Sequence, residues 1–153
     1  MEKKSILMIL IIIILVVVIG AFAYNQFSGP NTQLKVGSST FNLPDGFYEV
    51  NSSMPDVVNI SNGYDTFLLK ECGNDDATKY AKKYVKDVKD NNQSAIIKNF
   101  TVDDVVVYKS SIVNNTHNFH YWFNHNGKAY TIGTYQGSNN MDNIVKDLIK
   151  KSK

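Results

Sequence analysis

The sequence predicts an α+β domain in which an antiparallel sheet packs with two helices, preceded by an N-terminal transmembrane helix. Three observations support this: an uninterrupted apolar block near the N-terminus, short strand-like segments joined by tight turns, and two segments with helical spacing. We expect residues 1–24 to be a membrane anchor, 25–33 a linker, and 34–153 one extracytoplasmic domain.

The apolar block runs from Ile6 to Ala23 without a charged or polar side chain. As a helix it would be roughly 27 Å long, close to the hydrocarbon thickness of a bilayer. Lys3 and Lys4 precede it, and positive charge stays cytoplasmic, so the N-terminus should lie inside and the domain outside. Ala21-Phe22-Ala23 also fits a signal-peptidase motif, which leaves a secreted domain as an alternative.

Strands are expected at the start of the domain, where β-branched and aromatic residues alternate with Gly, Pro and Asn breaks. The predicted strands are Leu34–Val36, Thr40–Leu43, Phe47–Val50, Val57–Ile60 and Tyr64–Lys70. Asn62-Gly63, between the last two, is a strong hairpin indicator.

A helix should follow, with Asp75 as its N-cap and Asn91-Asn92 at its end. Its apolar residues recur at helical spacing on one face, and lysines cover the other. That face consists of Ala77, Tyr80, Ala81, Tyr84, Val85 and Val88.

Four more strands and a closing helix complete the expected order. The strands are Ala95–Val102, Val105–Ser110, Asn118–Phe123 and Ala129–Tyr135, with a tight turn over His125–Lys128. The closing helix has Ser138 or Asn139 as its cap and an apolar face of Met141, Ile144, Val145, Leu148 and Ile149.

Two segments give the chain a family resemblance: Thr40-Phe41-Asn42-Leu43-Pro44-Asp45-Gly46-Phe47 and Gly127-Lys128-Ala129-Tyr130-Thr131-Ile132. Together with the closing helix, they resemble the PsbP-like group, which has the Mog1/PsbP/DcrB α/β/α sandwich and includes small membrane-anchored archaeal proteins. The resemblance implies an accessory or binding protein rather than an enzyme. It carries over no ligand residues, and a shared fold does not transfer function.

Composition argues against several functions. From residue 34 onward, 14 Lys oppose 13 Asp and Glu, which does not favour nucleic-acid binding. There is no Arg, the usual residue for bidentate recognition of carboxylate or phosphate. Five glycosylation sequons, at Asn51, Asn59, Asn92, Asn99 and Asn114, agree with an outside location.

The single cysteine, Cys72, cannot form an internal disulfide. We expect it to be a small apolar residue at a strand end, with an intermolecular bridge as the alternative.

The histidines and the acidic pairs do not predict a metal site. His117 and His120 would point to opposite faces of a strand, and His125 lies in the predicted turn. Exposed polar histidines are therefore expected. Asp75-Asp76 suits a helix start and Asp103-Asp104 a turn; neither pair has calcium-loop spacing. No metal and no cofactor is expected.

Aromatic residues concentrate in the last predicted hairpin, at Phe119, Tyr121, Trp122, Phe123, Tyr130 and Tyr135. Phe119, Tyr121 and Phe123 alternate along the strand, so they should share a core face. Trp122 points the other way, where it would either be exposed on a binding surface or pack beneath the second helix layer.

No nucleophile-elbow, P-loop or zinc-protease motif occurs, so no catalytic residue is assigned. The leading hypothesis is a non-catalytic accessory or binding domain at the outer face of the cell membrane, with an envelope protein as candidate partner. The alternatives are a secreted domain that binds a small molecule or glycan through the Trp122 hairpin, and a small hydrolase whose triad is assembled in space.

Overall fold

The computed structural model of the chain describes residues 33–50, 56–113, 118–136 and 140–153. The predicted anchor, residues 1–24, and all but the last residue of the predicted linker lie outside these ranges. No helix within them is long and apolar enough to cross a membrane.

The described ranges form nine strands and two helices in the predicted order. The strands are β1 (Gln33–Val36), β2 (Ser39–Asn42), β3 (Tyr48–Val50), β4 (Val58–Ser61), β5 (Thr66–Gly73), β6 (Ala95–Val102), β7 (Val105–Ile112), β8 (Phe119–His125) and β9 (Lys128–Gln136). The helices are α1 (Ala77–Asp90) and α2 (Met141–Lys151).

Seven strands form one antiparallel sheet in the order β3-β4-β5-β9-β8-β7-β6. The sheet consists of two meanders, β3–β5 and β6–β9, which meet where β5 pairs with β9 in a register that places Leu69 opposite Ile132. Strands β1 and β2 form a separate two-stranded sheet. The expected α+β architecture with an antiparallel sheet is confirmed.

The larger core lies on the face of the sheet that carries helix α2 and the β1–β2 hairpin. Alternate residues of the central strands point into it, as the pleat requires. Its fully buried aromatic side chains are Phe41, Phe67, Tyr121, Phe123 and Tyr130. The predicted apolar face of α2 lies in the same core and is buried along its whole length.

Helix α1 covers the opposite face, over the β6–β9 meander. The core between them is smaller and is built from Ala77, Ala81, Trp122 and Ala129. Because the two helices lie on opposite faces, the domain has three layers.

Both predicted helix caps are wrong by one or more residues. Asp76, not Asp75, is the N-cap of α1: its backbone is extended and its Oδ1 accepts the Thr78 N–H at 2.8 Å. Asp75 instead binds Lys79 Nζ at 2.8 Å. Helix α2 begins after Asn140 rather than after Ser138 or Asn139, and the Asn140 carbonyl accepts the N–H groups of Asn143 and Ile144.

The predicted tight turn over His125–Lys128 joins β8 and β9. Its two central residues, Asn126 and Gly127, both have positive φ (49° and 74°), and this conformation suits a two-residue hairpin. His125 and Lys128 flank them as the last cross-strand pair.

The β1–β2 hairpin is fixed to the main sheet by the carboxylate of Glu71. This group accepts hydrogen bonds from the Ser38 N–H at 2.6 Å, the Ser38 hydroxyl at 2.7 Å and the Tyr130 hydroxyl at 3.1 Å. These bonds, led by that of the Ser38 hydroxyl, hold the pKa of Glu71 below its usual value. At its other end the hairpin meets α2, where the Asn42 N–H donates to Ser152 Oγ at 2.9 Å.

Candidate functional site: a groove between helix α1 and the sheet edge

A polar clamp positions the start of helix α1 against the sheet. The Asn124 side chain on β8 accepts the Ala77 N–H at 3.0 Å and donates to the Asp76 carboxylate at 2.9 Å. With the Thr78 N–H also bonded to Asp76, several free donors of the first helical turn are satisfied. The clamp therefore fixes where the side chains of the first two turns of α1 meet the sheet.

Beneath α1, an aromatic stack joins the helix to β8. The Tyr84 ring lies 4.5 Å from the His120 ring and 5.1 Å from the Trp122 ring, measured between centroids. Trp122 is only 4% exposed, so it packs beneath the second helix layer. The alternative, an exposed Trp122 on a binding hairpin, is wrong because α1 covers that side of the strand.

The predicted core face of the same strand is confirmed. Tyr121 and Phe123 are buried in the larger core and Phe119 packs against it, on the side opposite Trp122.

A groove of about 320 Å³ opens between α1 and the outer strands β6 and β7. Its lining residues come from three elements: Thr78 and Lys82 from α1; Ile97, Lys98 and Asn99 from β6; and Tyr108 from β7. Thr78 and Lys82 are four residues apart, so they occupy the same face of the helix. Asn99 and Tyr108 are direct cross-strand partners.

The groove lies at a free sheet edge. Strand β6 is the last strand of the sheet and pairs only with β7 among the described strands. Ile97 on this strand is 40% exposed, although eight residues of regular pairing hold it in place. Ile97 therefore gives the groove an exposed apolar side chain beside its polar lining residues.

The lysines of α1 divide into two groups. Lys79 and Lys83 each form an ion pair at 2.8 Å, with Asp75 and Asp87 respectively. Lys82, in the groove, forms no ion pair with any residue of the described ranges.

Lys98 borders the groove from β6, but its side chain points to the other face of the sheet. Its cross-strand partner Lys109 lies on that face, where it binds Asp142 of α2. The groove therefore has one ammonium group, that of Lys82, whose charge no described carboxylate neutralises.

The structure places the two described histidines, which were candidates for a metal site, on opposite faces of the sheet. His120 packs under α1, whereas the His125 ring lies 4.8 Å from the Phe41 ring on the other face. Both are partly buried, so the expectation of exposed histidines is wrong for them; His117 lies outside the described residues. Burial lowers the pKa of both rings, opposed at His125 by a hydrogen bond with the Thr40 backbone.

The described ranges contain no cluster of three His, Cys, Asp or Glu side chains that could hold a metal ion. Asp103 lies in the predicted turn between β6 and β7, with φ of 51°, and binds Lys153 at 2.6 Å. That bond lowers the pKa of Asp103.

Cys72 lies at the end of β5, as predicted, and is half-buried against the smaller core. Burial raises the pKa of its thiol to about 11.

No local sequence pattern indicates the groove. Lys82 belongs to the polar face of an amphipathic helix, which is usually solvated, and Ile97 belongs to the predicted strand Ala95–Val102. Only the packing of α1 across β6 and β7 brings the two together. Asn99 begins a glycosylation sequon, and in the structure it is an exposed groove residue.

Comparison with solved structures finds a similarity to the solution structure of cyanobacterial PsbP (CyanoP) from Synechocystis sp. PCC 6803. The TM-score is 0.43 and the sequence identity is 17%, over 74% of this chain and 84% of that one. At this level the similarity assigns neither a site nor a function. A scan against protein-family models and a search of curated proteins both find no match.

Proposed function

We propose that this protein is a non-catalytic, single-pass membrane protein whose domain binds a ligand at the outer face of the cell membrane. The observation that carries the binding role is the groove between α1 and strands β6 and β7, with its unpaired Lys82 and exposed Ile97. Its volume of about 320 Å³ lies at the lower end of the range for small-molecule sites, roughly 300–1,000 Å³.

The anchor and the orientation rest on the sequence. The apolar block Ile6 to Ala23 is long enough to span, and Lys3 and Lys4 favour a cytoplasmic N-terminus. Intact masses of the protein from washed membranes and from the medium test this. A membrane-bound species that retains residues 1–23 is the expected result, and a free species beginning at Tyr24 would refute anchoring.

The binding role is tested by native mass spectrometry of the full-length protein, extracted from its own membranes in a mild detergent. We expect a small-molecule adduct on the wild type that is lost from Thr78→Trp, whose indole would fill the groove. Tyr64→Trp, at a residue that is 90% exposed and outside the groove lining, is the control and should keep the adduct. An adduct absent from the wild type, or retained in Thr78→Trp, would contradict the groove as the binding site.

A secreted binding domain is the second candidate, favoured by the Ala21-Phe22-Ala23 motif. It predicts the same groove and the same adduct, but a mature chain in the medium. The intact mass distinguishes the two. A purified protein that turns over an ester, peptide or glycoside substrate would overturn both and favour a hydrolase.

A further inference from the structure

We propose that strand β6, the free edge of the sheet, pairs antiparallel with an extended acidic peptide segment of a partner protein. This inference goes beyond the groove, because it concerns the backbone of β6 and the face of the sheet that carries α2. Three properties of the edge support it: its unused hydrogen-bonding groups, its charge and its exposed apolar side chain.

The backbone of β6 presents an open row of hydrogen-bonding groups. A two-residue turn joins β6 to β7, so Val102 and Val105 close the hairpin as a hydrogen-bonded pair. Hydrogen-bonded pairs alternate along an antiparallel ladder, so the N–H and C=O groups of every second residue of β6 point away from β7. These residues are Ala95, Ile97, Asn99 and Thr101. No described strand pairs with them on that side.

This row is long and regular. All eight residues of β6 pair with β7 in one continuous register, and the strand contains no Pro. Natural sheets usually protect an exposed edge with bulges, Pro or charges, because an open edge is a template for another strand. The one charged residue of β6 is Lys98, so its charge decides which strands the edge accepts.

The charge lies on the face that carries α2. Lys98 is exposed there, and its cross-strand partner Lys109 is bound to Asp142 at 2.7 Å. Lys146 of α2 lies on the same face, with its Nζ 5.3 Å from the centre of the Phe100 ring. Neither Lys98 nor Lys146 forms an ion pair with a residue of the described ranges. An added strand with acidic side chains on this face would supply the missing carboxylates.

The other face of the edge is apolar where Ile97 lies, 40% exposed and pointing toward α1. Because successive side chains of a strand point to opposite faces, a segment of alternating acidic and apolar residues can serve both faces. Its carboxylates would lie beside Lys98 and its apolar side chains beside Ile97. Lys98 would be at a non-hydrogen-bonded position of the new pair, where opposite side chains approach most closely.

The same charge disfavours a second copy of this chain as the occupant. Two β6 strands can pair antiparallel with matching faces in only a few registers that overlap most of the strand. In those registers Lys98 lies opposite or diagonal to Lys98 of the second copy. Like charges placed so closely across a pair of strands are destabilising, so an acidic strand is the better partner.

The test uses a blocked peptide of alternating Val and Glu, as long as β6, and the full-length ¹⁵N-labelled protein in a non-ionic detergent. In the free protein the amides of Ile97, Asn99 and Thr101 should exchange with solvent quickly. Those of Lys98 and Phe100 should exchange slowly, because β7 protects them. We expect the peptide to protect the first set, to leave the second largely unchanged, and to bind more weakly as salt screens the lysines.

Methylation of the peptide nitrogens tests the arrangement of the added strand. The residues of β6 with free backbone groups point toward α1, so the peptide residues that bond to them must point there too. With the glutamates facing Lys98, the donors are the valine N–H groups. The peptide N-methylated at Val should therefore not bind, and the peptide N-methylated at Glu should. The reverse result would overturn the antiparallel arrangement, and binding that neither methylation reduces would overturn strand pairing.

The charge is tested with two double variants. Lys98→Gln with Lys146→Gln should weaken binding about two- to thirtyfold, the range for two solvent-accessible charge pairs. Lys35→Gln with Lys70→Gln removes two exposed lysines on β1 and β5, neither of which neighbours β6, and should leave the affinity unchanged. A peptide of alternating Val and Lys should bind much more weakly than the acidic one. Equal binding of the two peptides, or an unchanged affinity of the Lys98 and Lys146 variant, would overturn the acidic partner.

The remaining outcomes also decide. No protection of Ile97, Asn99 and Thr101 by the acidic peptide would overturn the inference and leave Lys98 as a charge that guards the edge. Protection that appears without peptide as the protein concentration rises would assign the edge to a second copy. Protection at every concentration would show that another part of the chain covers β6, and either result would overturn the peptide partner. The adduct that Thr78→Trp should abolish tests the groove separately.

Discussion

Replacing Phe41 with alanine should remove a large part of the free energy of unfolding of this domain. Phe41 lies on β2, outside the seven-stranded sheet, yet its side chain is completely buried in the larger core. Its ring meets the Tyr130 ring edge-on at 4.9 Å and the Phe123 ring at 6.2 Å. Since β1 and β2 share no backbone ladder with the sheet, side chains such as this one hold the hairpin in place.

The expected cost follows from this packing. Truncating a buried Phe to Ala costs about 3–5 kcal/mol, and the edge-to-face contacts put Phe41 toward the upper part of that range. Total stabilities of domains are about 5–15 kcal/mol, so the loss is a large fraction. With a urea m-value of about 1–3 kcal/mol/M, the midpoint should fall by about 2 M.

The assay is urea unfolding of the full-length chain in a non-ionic detergent, followed by the fluorescence of its single tryptophan. Trp122 is buried on the other face of the sheet, so it reports unfolding of the domain rather than of the hairpin alone. Tyr64→Ala is the control, because Tyr64 is 90% exposed and its loss should cost less than about 0.5 kcal/mol.

Two outcomes would refute this reasoning. A loss below about 1 kcal/mol at an unchanged m-value would mean that the hairpin contributes little to the core. A clearly smaller m-value in Phe41→Ala would mean that the hairpin detaches independently of the sheet.

Three other predictions concern the α1 cap, a histidine and the cysteine. Asp76→Ala should cost about 1 kcal/mol of unfolding free energy and Asp75→Ala distinctly less; equal losses would contradict the cap assignment. Burial lowers the pKa of His120, so the unfolded chain binds more protons than the folded one, and the free energy of unfolding should fall as the pH drops below about 6.5. Urea titrations at several pH values should show a flatter pH dependence for His120→Phe, with only the part due to His125 remaining. An unchanged pH dependence would refute the assignment to His120. Burial raises the pKa of the Cys72 thiol to about 11, so iodoacetamide at pH 8 should label native protein much more slowly than urea-unfolded protein, and equal rates would contradict its burial.

The sequence predicted the elements of the fold because each has a local pattern. The apolar face from Ala77 to Val88 repeats at the helical period, and strand β6 has the predicted bounds, Ala95–Val102. The cap of α1 was misplaced because Asp75 and Asp76 are equivalent as local sequence. What distinguishes them is Asn124, a residue 48 positions after Asp76, whose side chain donates to the Asp76 carboxylate and not to that of Asp75.

The groove could not be predicted for a related reason. Helical spacing places Thr78 and Lys82 on one face, and strand alternation orients Ile97. Neither pattern indicates which strands the helix crosses. That depends on the strand order, in which β6 becomes an edge and α1 lies over the later meander. The hairpins could likewise be predicted from their turns, but the pairing of β5 with β9 could not, because no turn joins those two strands.

The pairing of β5 with β9 has a consequence for how the chain folds. These neighbours are separated by more than fifty residues, among them α1 and three strands. Each meander can begin to pair locally, but the two halves join only after residue 136 is available. Because contacts that are distant in sequence form slowly, we expect this junction to limit the folding rate. During synthesis, which proceeds from the N-terminus, the β5 edge of the first meander would stay unpaired until nearly all of the domain had been made.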